Sequence, residues 1–154
     1  PIIKTSSNGD EMRCETGDVV YSPSFGQLKA IYPKGIIHCV APYYKQQNID
    51  DWEETLKLCY VKCFDMILNM NDLKTMNQYS SMTVACPFIG TGVRNIPLIK
   101  GVEIAVEGIK QIESILEENK DHDGKKLIIS FITKEDDDLL LQEIGKCLVS
   151  FYDK

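Results

Sequence analysis

Residues 82–97 read Met-Thr-Val-Ala-Cys-Pro-Phe-Ile-Gly-Thr-Gly-Val-Arg-Asn-Ile-Pro, and this stretch decides the fold. Its first part, Met82 to Phe88, is apolar and rich in β-favouring residues, so it predicts a buried strand. Gly90-Thr91-Gly92 then predicts a loop, and Pro97 predicts the first turn of a helix. This arrangement can hold a phosphate, because glycines let backbone N–H groups approach an anion and a helix N-terminus favours negative charge.

The glycine loop alone does not identify a ligand. The full dinucleotide fingerprint needs a third glycine and a downstream acidic residue, and neither follows Gly92 at the required position. Taken by itself, the loop is as consistent with a plain tight connection as with a binding site. The elements around it are therefore needed to choose between the two.

Strands and helices alternate on both sides of this stretch. We predict a strand over Gly35 to Ala41, a helix over Asp50 to Asn69, and an apolar strand over Leu127 to Ile132. Two helical stripes support the pattern: Trp52, Leu56, Cys59, Cys63 and Ile67 in the first helix, and Leu98, Val102, Ala105, Ile109, Ile112 and Leu116 in the second. A last helix is predicted over Glu135 to Tyr152.

This order predicts a mostly parallel sheet covered by helices on both faces. Ligands of such sheets bind outside the carboxyl ends of the strands. The glycine loop follows the carboxyl end of one predicted strand, and Phe131 lies at the carboxyl end of another. We therefore expect them at one edge of the sheet. At 154 residues the chain is predicted to form one domain, with residues 1–12 irregular.

Composition argues against several classes of function. The net charge of −6 argues against a broad nucleic-acid surface, although it leaves room for a small anionic ligand bound by backbone amides. No apolar run is long enough for a membrane span, and no signal-peptide pattern is present, so we predict an intracellular protein, cytoplasmic or nuclear. The six cysteines are scattered, which predicts reduced thiols and no metal site.

Three kinds of side chain invite a functional interpretation and have a plainer structural alternative. His38 lies among apolar residues on a predicted buried strand, so a structural role is favoured over that of a base. Cys86 is expected in the core, because no base or orienting group accompanies it. Tyr43-Tyr44 either lines a pocket rim or covers the end of the sheet.

Three blocks in order give the chain a family resemblance: Cys14 to Ser22, Ile36 to Pro42, and Ala85 to Gly92. Together they resemble the macro domain, a family that binds ADP-ribose, from about Arg13 to the C-terminus. The resemblance implies a three-layer α/β/α sandwich with a mixed, mostly parallel sheet. It also implies that the ligand is ADP-ribose, without a cofactor, either free or attached to protein.

The resemblance further implies which residues contact the ligand. The loop from Gly90 to Asn95 would wrap the diphosphate and distal ribose, and Phe131 would lie beside the adenine. The full set implied is Pro87, Ile89, Gly90, Thr91, Gly92, Val93, Arg94, Asn95 and Phe131.

Two departures from the family leave the activity open. An adenine-reading acidic residue and an Asn-bearing, glycine-rich loop have no match in Pro1 to Arg13, so the chain is either the C-terminal portion of a macro domain or a reduced member with a changed site. Arg94 and Asn95 replace an aromatic residue and a glycine of hydrolytic members. We therefore expect a reader of ADP-ribose; the alternatives are a mono-ADP-ribosyl-protein hydrolase and a degenerate fold used for protein interaction or RNA binding.

Overall fold

A computed structural model of the chain describes residues 4–5, 11–12, 14–44, 49–70, 81–118, 126–133, 141–142 and 144–146. The elements in chain order are β1 (Lys4–Thr5), β2 (Glu11–Met12), β3 (Val19–Ser22), α1 (Leu28–Ile31), β4 (Ile36–Cys39), α2 (Ile49–Leu68), β5 (Ser81–Pro87), α3 (Leu98–Glu118) and β6 (Lys126–Ile132). Residues 141–142 and 144–146 are also helical, inside the predicted last helix. Most of that helix and the segment 71–80 lie outside the described residues.

The described strands form three two-stranded ladders. The β1–β2 and β3–β4 ladders are antiparallel, whereas β5 and β6 run parallel, with Met82 opposite Leu127 and Cys86 opposite Phe131. The parallel pairing arises because α3 carries the chain back along the sheet before β6 begins. The predicted mixture of strand directions and the order of strand and helix from β4 onward are both confirmed.

Burial alternates along β5 and β6, so the ladder that they form has one covered and one exposed face. Met82 and Cys86 are buried, while Thr83 and Ala85 between them are exposed. The apolar run in β6 is less buried than expected, because Ile128 and Ile132 are 46% and 51% exposed.

The strand predicted over 35–41 also differs from its expected burial. β4 is only partly buried, and His38 is exposed rather than enclosed. Its Nε2 lies 2.8 Å from the Ser22 hydroxyl on the paired strand β3. The prediction of a buried His38 was wrong because β4 pairs with β3 in a ladder whose outward face meets solvent. Its structural role remains consistent with this hydrogen bond.

Two long helices, α2 and α3, supply most of the core. The predicted stripe of α2 is buried throughout: Trp52, Leu56, Cys59, Cys63 and Ile67. In α3, Val102, Ala105 and Ile112 are buried, and Leu98 and Ile109 pack against the same cluster. The helices also contact the glycine-loop strand through Met82 and Cys86, which belong to that cluster. None of the helices in the described ranges is long and apolar enough to cross a bilayer.

The two helices approach most closely at Gly108. A Cβ atom at this position would lie 2.9 Å from the Cβ of Tyr60, an atom fixed to the α2 backbone. A glycine therefore permits the close crossing despite its poor helix propensity.

We predict that Gly108→Ala destabilises the fold by about 1–2 kcal/mol, because overpacking against Tyr60 outweighs the gain in helix propensity. Gly145 is the matched control, since it is also helical and a Cβ there would meet open space. Urea unfolding should show a lower midpoint for Gly108→Ala and an unchanged or higher one for Gly145→Ala. Equal midpoints for the two variants would show that the helix crossing tolerates a methyl group.

Candidate functional site

The glycine loop and the end of β6 lie side by side at the carboxyl edge of the parallel ladder. Pro87 pairs with Ile132 and Cys86 pairs with Phe131, so the loop that leaves β5 begins next to the Phe131 position. The prediction that these two segments share an edge is confirmed. This is the edge at which ligands of parallel sheets bind.

Hydrogen bonds within the loop fold it back on itself. The Thr91 N–H and hydroxyl both donate to the Phe88 carbonyl, at 3.3 and 2.8 Å. The Ile96 N–H donates to the Gly90 carbonyl at 3.1 Å. Gly90 has a φ of 82°, and a Cβ on it would lie 2.5 Å from Ile96 Cδ1, so both backbone conformation and space require glycine there.

A second turn closes at the tip of the loop, where the Asn95 N–H donates to the Gly92 carbonyl at 2.9 Å. Asn95 has a φ of 58°, a left-handed conformation that asparagine adopts more readily than most residues. Between its ends, Val93 is 85% exposed. The turn therefore projects outward from the loop.

The backbone amides of the loop divide into two groups. The N–H groups of Ile89, Thr91 and Asn95 are engaged inside the protein. Those of Gly90, Gly92, Val93 and Arg94 donate to none of the described residues. Because a tight turn presents successive N–H groups on one side, the free amides at the loop tip are suited to an anion.

Tyr60 in α2 fixes the start of the glycine loop through a hydrogen bond. Its side chain is fully buried on α2, and its hydroxyl accepts a hydrogen bond from the Ile89 N–H at 2.7 Å. Burial raises the pKa of Tyr60, and the nearby Cys86 adds to the shift, so the phenol stays neutral. Sequence analysis placed no functional role on Tyr60, since a tyrosine within a helical apolar stripe indicates only core packing.

Phe131 belongs to an aromatic cluster. Its ring lies parallel to that of Phe88, with centroids 4.7 Å apart and an angle of 2°. Tyr60 meets Phe131 edge-on, at 6.5 Å between centroids. One face of Phe131 is therefore occupied by Phe88, so an adenine beside Phe131 would use the rest of the ring.

Arg94 is held against the segment that follows β4. Its guanidinium carbon lies 3.9 Å from the centroid of the Tyr43 ring, and the Tyr44 N–H donates to the Arg94 carbonyl at 3.0 Å. Tyr44 in turn packs edge-on against Trp52, at 5.2 Å between centroids. Tyr43 and Tyr44 thus lie against the glycine loop, and the Tyr43 ring braces the Arg94 cation there.

Four cysteines converge below the end of β4, which sequence analysis did not foresee. The Cys59 thiol donates to the Val40 carbonyl at 3.8 Å, and Cys14, Cys39, Cys59 and Cys63 lie close enough together for their charges to interact. The neighbouring Cys39 thiol and burial raise the pKa of Cys59, so it carries no thiolate at neutral pH. Residues distant in sequence meet here because β4 packs on α2.

The remaining thiol at the site, Cys86, is a core residue as predicted. It is 8% exposed, and burial raises its pKa to about 11. In the part of the chain that the structure describes, no group of three His, Cys, Asp or Glu side chains is arranged to hold a metal ion. The burial and the raised pKa of Cys86 fit its predicted role in the core.

Comparisons with known proteins agree with this geometry. The sequence model of one family, described as Macro domain, matches residues 3–105. The chain is 29% identical over 119 residues to the Macro domain-containing protein TTE0995 of Caldanaerobacter subterraneus subsp. tengcongensis, covering 71% of this chain and 60% of that protein. It is 27% identical over 123 residues to the ADP-ribose glycohydrolase MACROD1 of Mus musculus, covering 80% of this chain and 33% of that protein.

Solved structures of the Oceanobacillus iheyensis macrodomain resemble the chain along most of its length. The structure with MES bound has a TM-score of 0.64 at 26% identity, covering 95% of this chain and 64% of that one. The structure with ADP has a TM-score of 0.59 at 25% identity, covering 95% and 61%. A variant of that protein with ADPR has a TM-score of 0.60 at 25% identity, covering 96% and 65%.

The chain spans less than two thirds of the length of these relatives and structures. Within that span, the family match extends over most of the chain, and the fold neighbours are macrodomains. The order of elements, the parallel ladder and the loop at its carboxyl edge all fit the same assignment. The chain belongs to the macro domain family, whose members bind ADP-ribose.

Proposed function

We propose that this chain binds ADP-ribose, free or attached to protein, with the diphosphate at the tip of the glycine loop. The observation that carries the proposal is the row of N–H groups on Gly92, Val93 and Arg94 that donate to no acceptor among the described residues. An anion there gains charge-assisted hydrogen bonds without breaking any bond within the loop. The ADP and ADPR complexes of the Oceanobacillus iheyensis macrodomain support the choice of ligand.

The other proposed contacts follow from this placement. Gly90 and Thr91 shape the loop, and Asn95 closes its tip by using its own N–H group inside the protein. The Ile89 N–H already donates to the Tyr60 hydroxyl, so Ile89 helps to position the loop and offers the ligand no donor. Pro87 has no N–H group, so it offers the ligand only its apolar ring and its carbonyl oxygen, and Phe131 offers apolar ring area to the adenine.

Arg94 supplies the positive charge of the proposed site. The chain carries a net charge of −6, so an anionic ligand needs a local cation or amides to offset repulsion. The Tyr43 ring holds the guanidinium 3.9 Å from its centroid, next to the unengaged amides on the same loop. A braced side chain loses less conformational entropy when a phosphate binds.

We favour a reader over a hydrolase. MACROD1 is named as an ADP-ribose glycohydrolase, which favours the hydrolase alternative. However, the matched region covers only 33% of that relative. Around the loop tip, Arg94 and Asn95 offer donors and no general base, and the buried Tyr60 and Cys86 both have raised pKa values.

We predict that Val93→Pro weakens ADP-ribose binding by about tenfold or more, because it removes one N–H donor to a charged ligand. Proline suits this second position of a four-residue turn, so the bond from Asn95 to Gly92 is kept. Val93→Ala is the control, since it trims the exposed side chain and keeps the amide. Isothermal titration calorimetry measures both, and absence of heat from the unaltered chain at high micromolar ADP-ribose would refute the proposed function itself.

Arg94→Ala is expected to weaken ADP-ribose binding by about threefold to tenfold and to reduce its dependence on salt, because one cation is lost. Tyr43→Ala should weaken binding in the same direction by freeing the guanidinium, whereas Tyr43→Phe should not, because the ring face is retained. The measurement is the affinity at two salt concentrations. An unchanged salt dependence in Arg94→Ala would remove Arg94 from the site.

The chain is expected to leave a mono-ADP-ribosylated protein intact over hours of incubation. The substrate's modification signal on a gel measures this, with a macro domain hydrolase as the positive control. Loss of the signal at a rate proportional to the concentration of this chain would show turnover, and the proposal of a reader would then be wrong.

A further inference from the structure

Exposed apolar side chains are concentrated on the connection between β3 and β4. This surface, which we call the 21–32 patch, consists of Tyr21 (42% exposed), Phe25 (75%), Leu28 (39%), Ile31 (65%) and Tyr32 (41%). The short helix α1 within it buries none of its side chains. Single exposed apolar residues are ordinary, but several within one short segment indicate a contact surface.

The backbone beneath the patch is fixed by its own hydrogen bonds. The Ser24 hydroxyl donates to the Tyr32 carbonyl at 2.5 Å, and the Tyr32 N–H donates to the Leu28 carbonyl at 2.7 Å. The Tyr21 hydroxyl donates to the Lys34 carbonyl at 2.9 Å and ties the end of β3 to the start of β4. A segment already folded in this way loses little entropy on binding, so its apolar side chains are presented ready for a partner.

A groove of about 780 Å³ adjoins the patch and shares Tyr21 with it. Its lining includes Met66 near the end of α2 and Met70 just beyond that helix, two side chains that adapt readily to different apolar partners. The charged groups of the lining are balanced, with Asp18 and Asp65 beside Lys34 and Lys62, and Lys62 pairs with Asp18 at 2.6 Å. The groove is large enough to take apolar side chains of a partner.

Charge at the patch is opposite in sign to that of the chain as a whole. From Val19 to Tyr44, the described segment that carries the patch, the sequence has no Asp or Glu and has two lysines, Lys29 and Lys34, although the chain carries a net charge of −6. An acidic partner is therefore favoured here over a basic one. A membrane is a less suitable partner for two reasons. An anionic bilayer repels an acidic chain, and a bilayer surface offers no side chain that could fill the groove.

We propose that the 21–32 patch and the adjoining groove dock a short acidic peptide segment of another protein that carries two or more large apolar side chains. The apolar side chains cover Phe25 and Ile31 and enter the groove beside Tyr21. The acidic side chains lie near Lys29. This surface is separate from the glycine loop, so the segment and ADP-ribose bind independently of one another.

A library of short random peptides displayed on phage and selected on the full chain tests this proposal. Enriched peptides should combine net negative charge with at least two large apolar residues. Synthetic copies should bind at least about tenfold more weakly to the double variant Phe25→Ser, Ile31→Ser, because apolar anchors dominate such contacts. The double variant Ile115→Ser, Ile128→Ser, which removes two apolar side chains that are 40% and 46% exposed elsewhere on the surface, is the control and should bind normally.

Three results would overturn the proposal. Enriched peptides that are basic or lack apolar residues would show that the chemistry is wrong, and equal binding to the two double variants would show that the location is wrong. Flotation with phosphatidylserine vesicles that depends on Phe25 and Ile31 would assign the patch to a membrane. ADP-ribose titration of the Phe25→Ser, Ile31→Ser variant separates the two proposals, since a defect confined to peptide binding leaves the nucleotide affinity unchanged.

Discussion

One hydrogen bond determines how the glycine loop can be used: the Ile89 N–H donates to the hydroxyl of Tyr60, which is fully buried on α2. A phenol in the core cannot move without leaving a cavity, so the loop begins at a fixed point. The packing of α2 against α3 at Gly108 places Tyr60 at that point. The geometry of a surface loop is therefore set by helix packing in the core.

From this fixed start, the loop satisfies some of its amides internally and leaves others for a ligand. The bonds that Thr91, Asn95 and Ile96 form with loop carbonyls maintain its shape without any bound anion. The amides of Gly92, Val93 and Arg94 are then preorganised, and an anion that binds them pays no cost for folding the loop. Arg94, stacked on Tyr43, adds a cation to the same rim in a chain that is otherwise acidic.

The two proposed surfaces have different physical characters. The loop tip is a small, polar arrangement of backbone donors that is suited to a diphosphate, whereas the 21–32 patch is apolar and flanked by lysines. Phe25 and Ile31 are 75% and 65% exposed, although local hydrogen bonds hold the backbone of this segment in place. A reader of modified proteins benefits from such a division, because the nucleotide gives affinity for the modification and the second surface selects the protein that carries it.

The sequence by itself determined the alternation of strands and helices, the buried stripes of α2 and α3, and the shared edge of Gly90 and Phe131, because these follow from local periodicity and from where parallel strands end. Local pattern could not show that His38 is exposed, since exposure depends on which strand pairs with β4. Tertiary structure alone decided which loop amides stay free, that Phe88 covers one face of Phe131, that Tyr43 braces Arg94, and that distant cysteines meet. Each of these depends on the packing of side chains from separate elements, which no single stretch of sequence encodes.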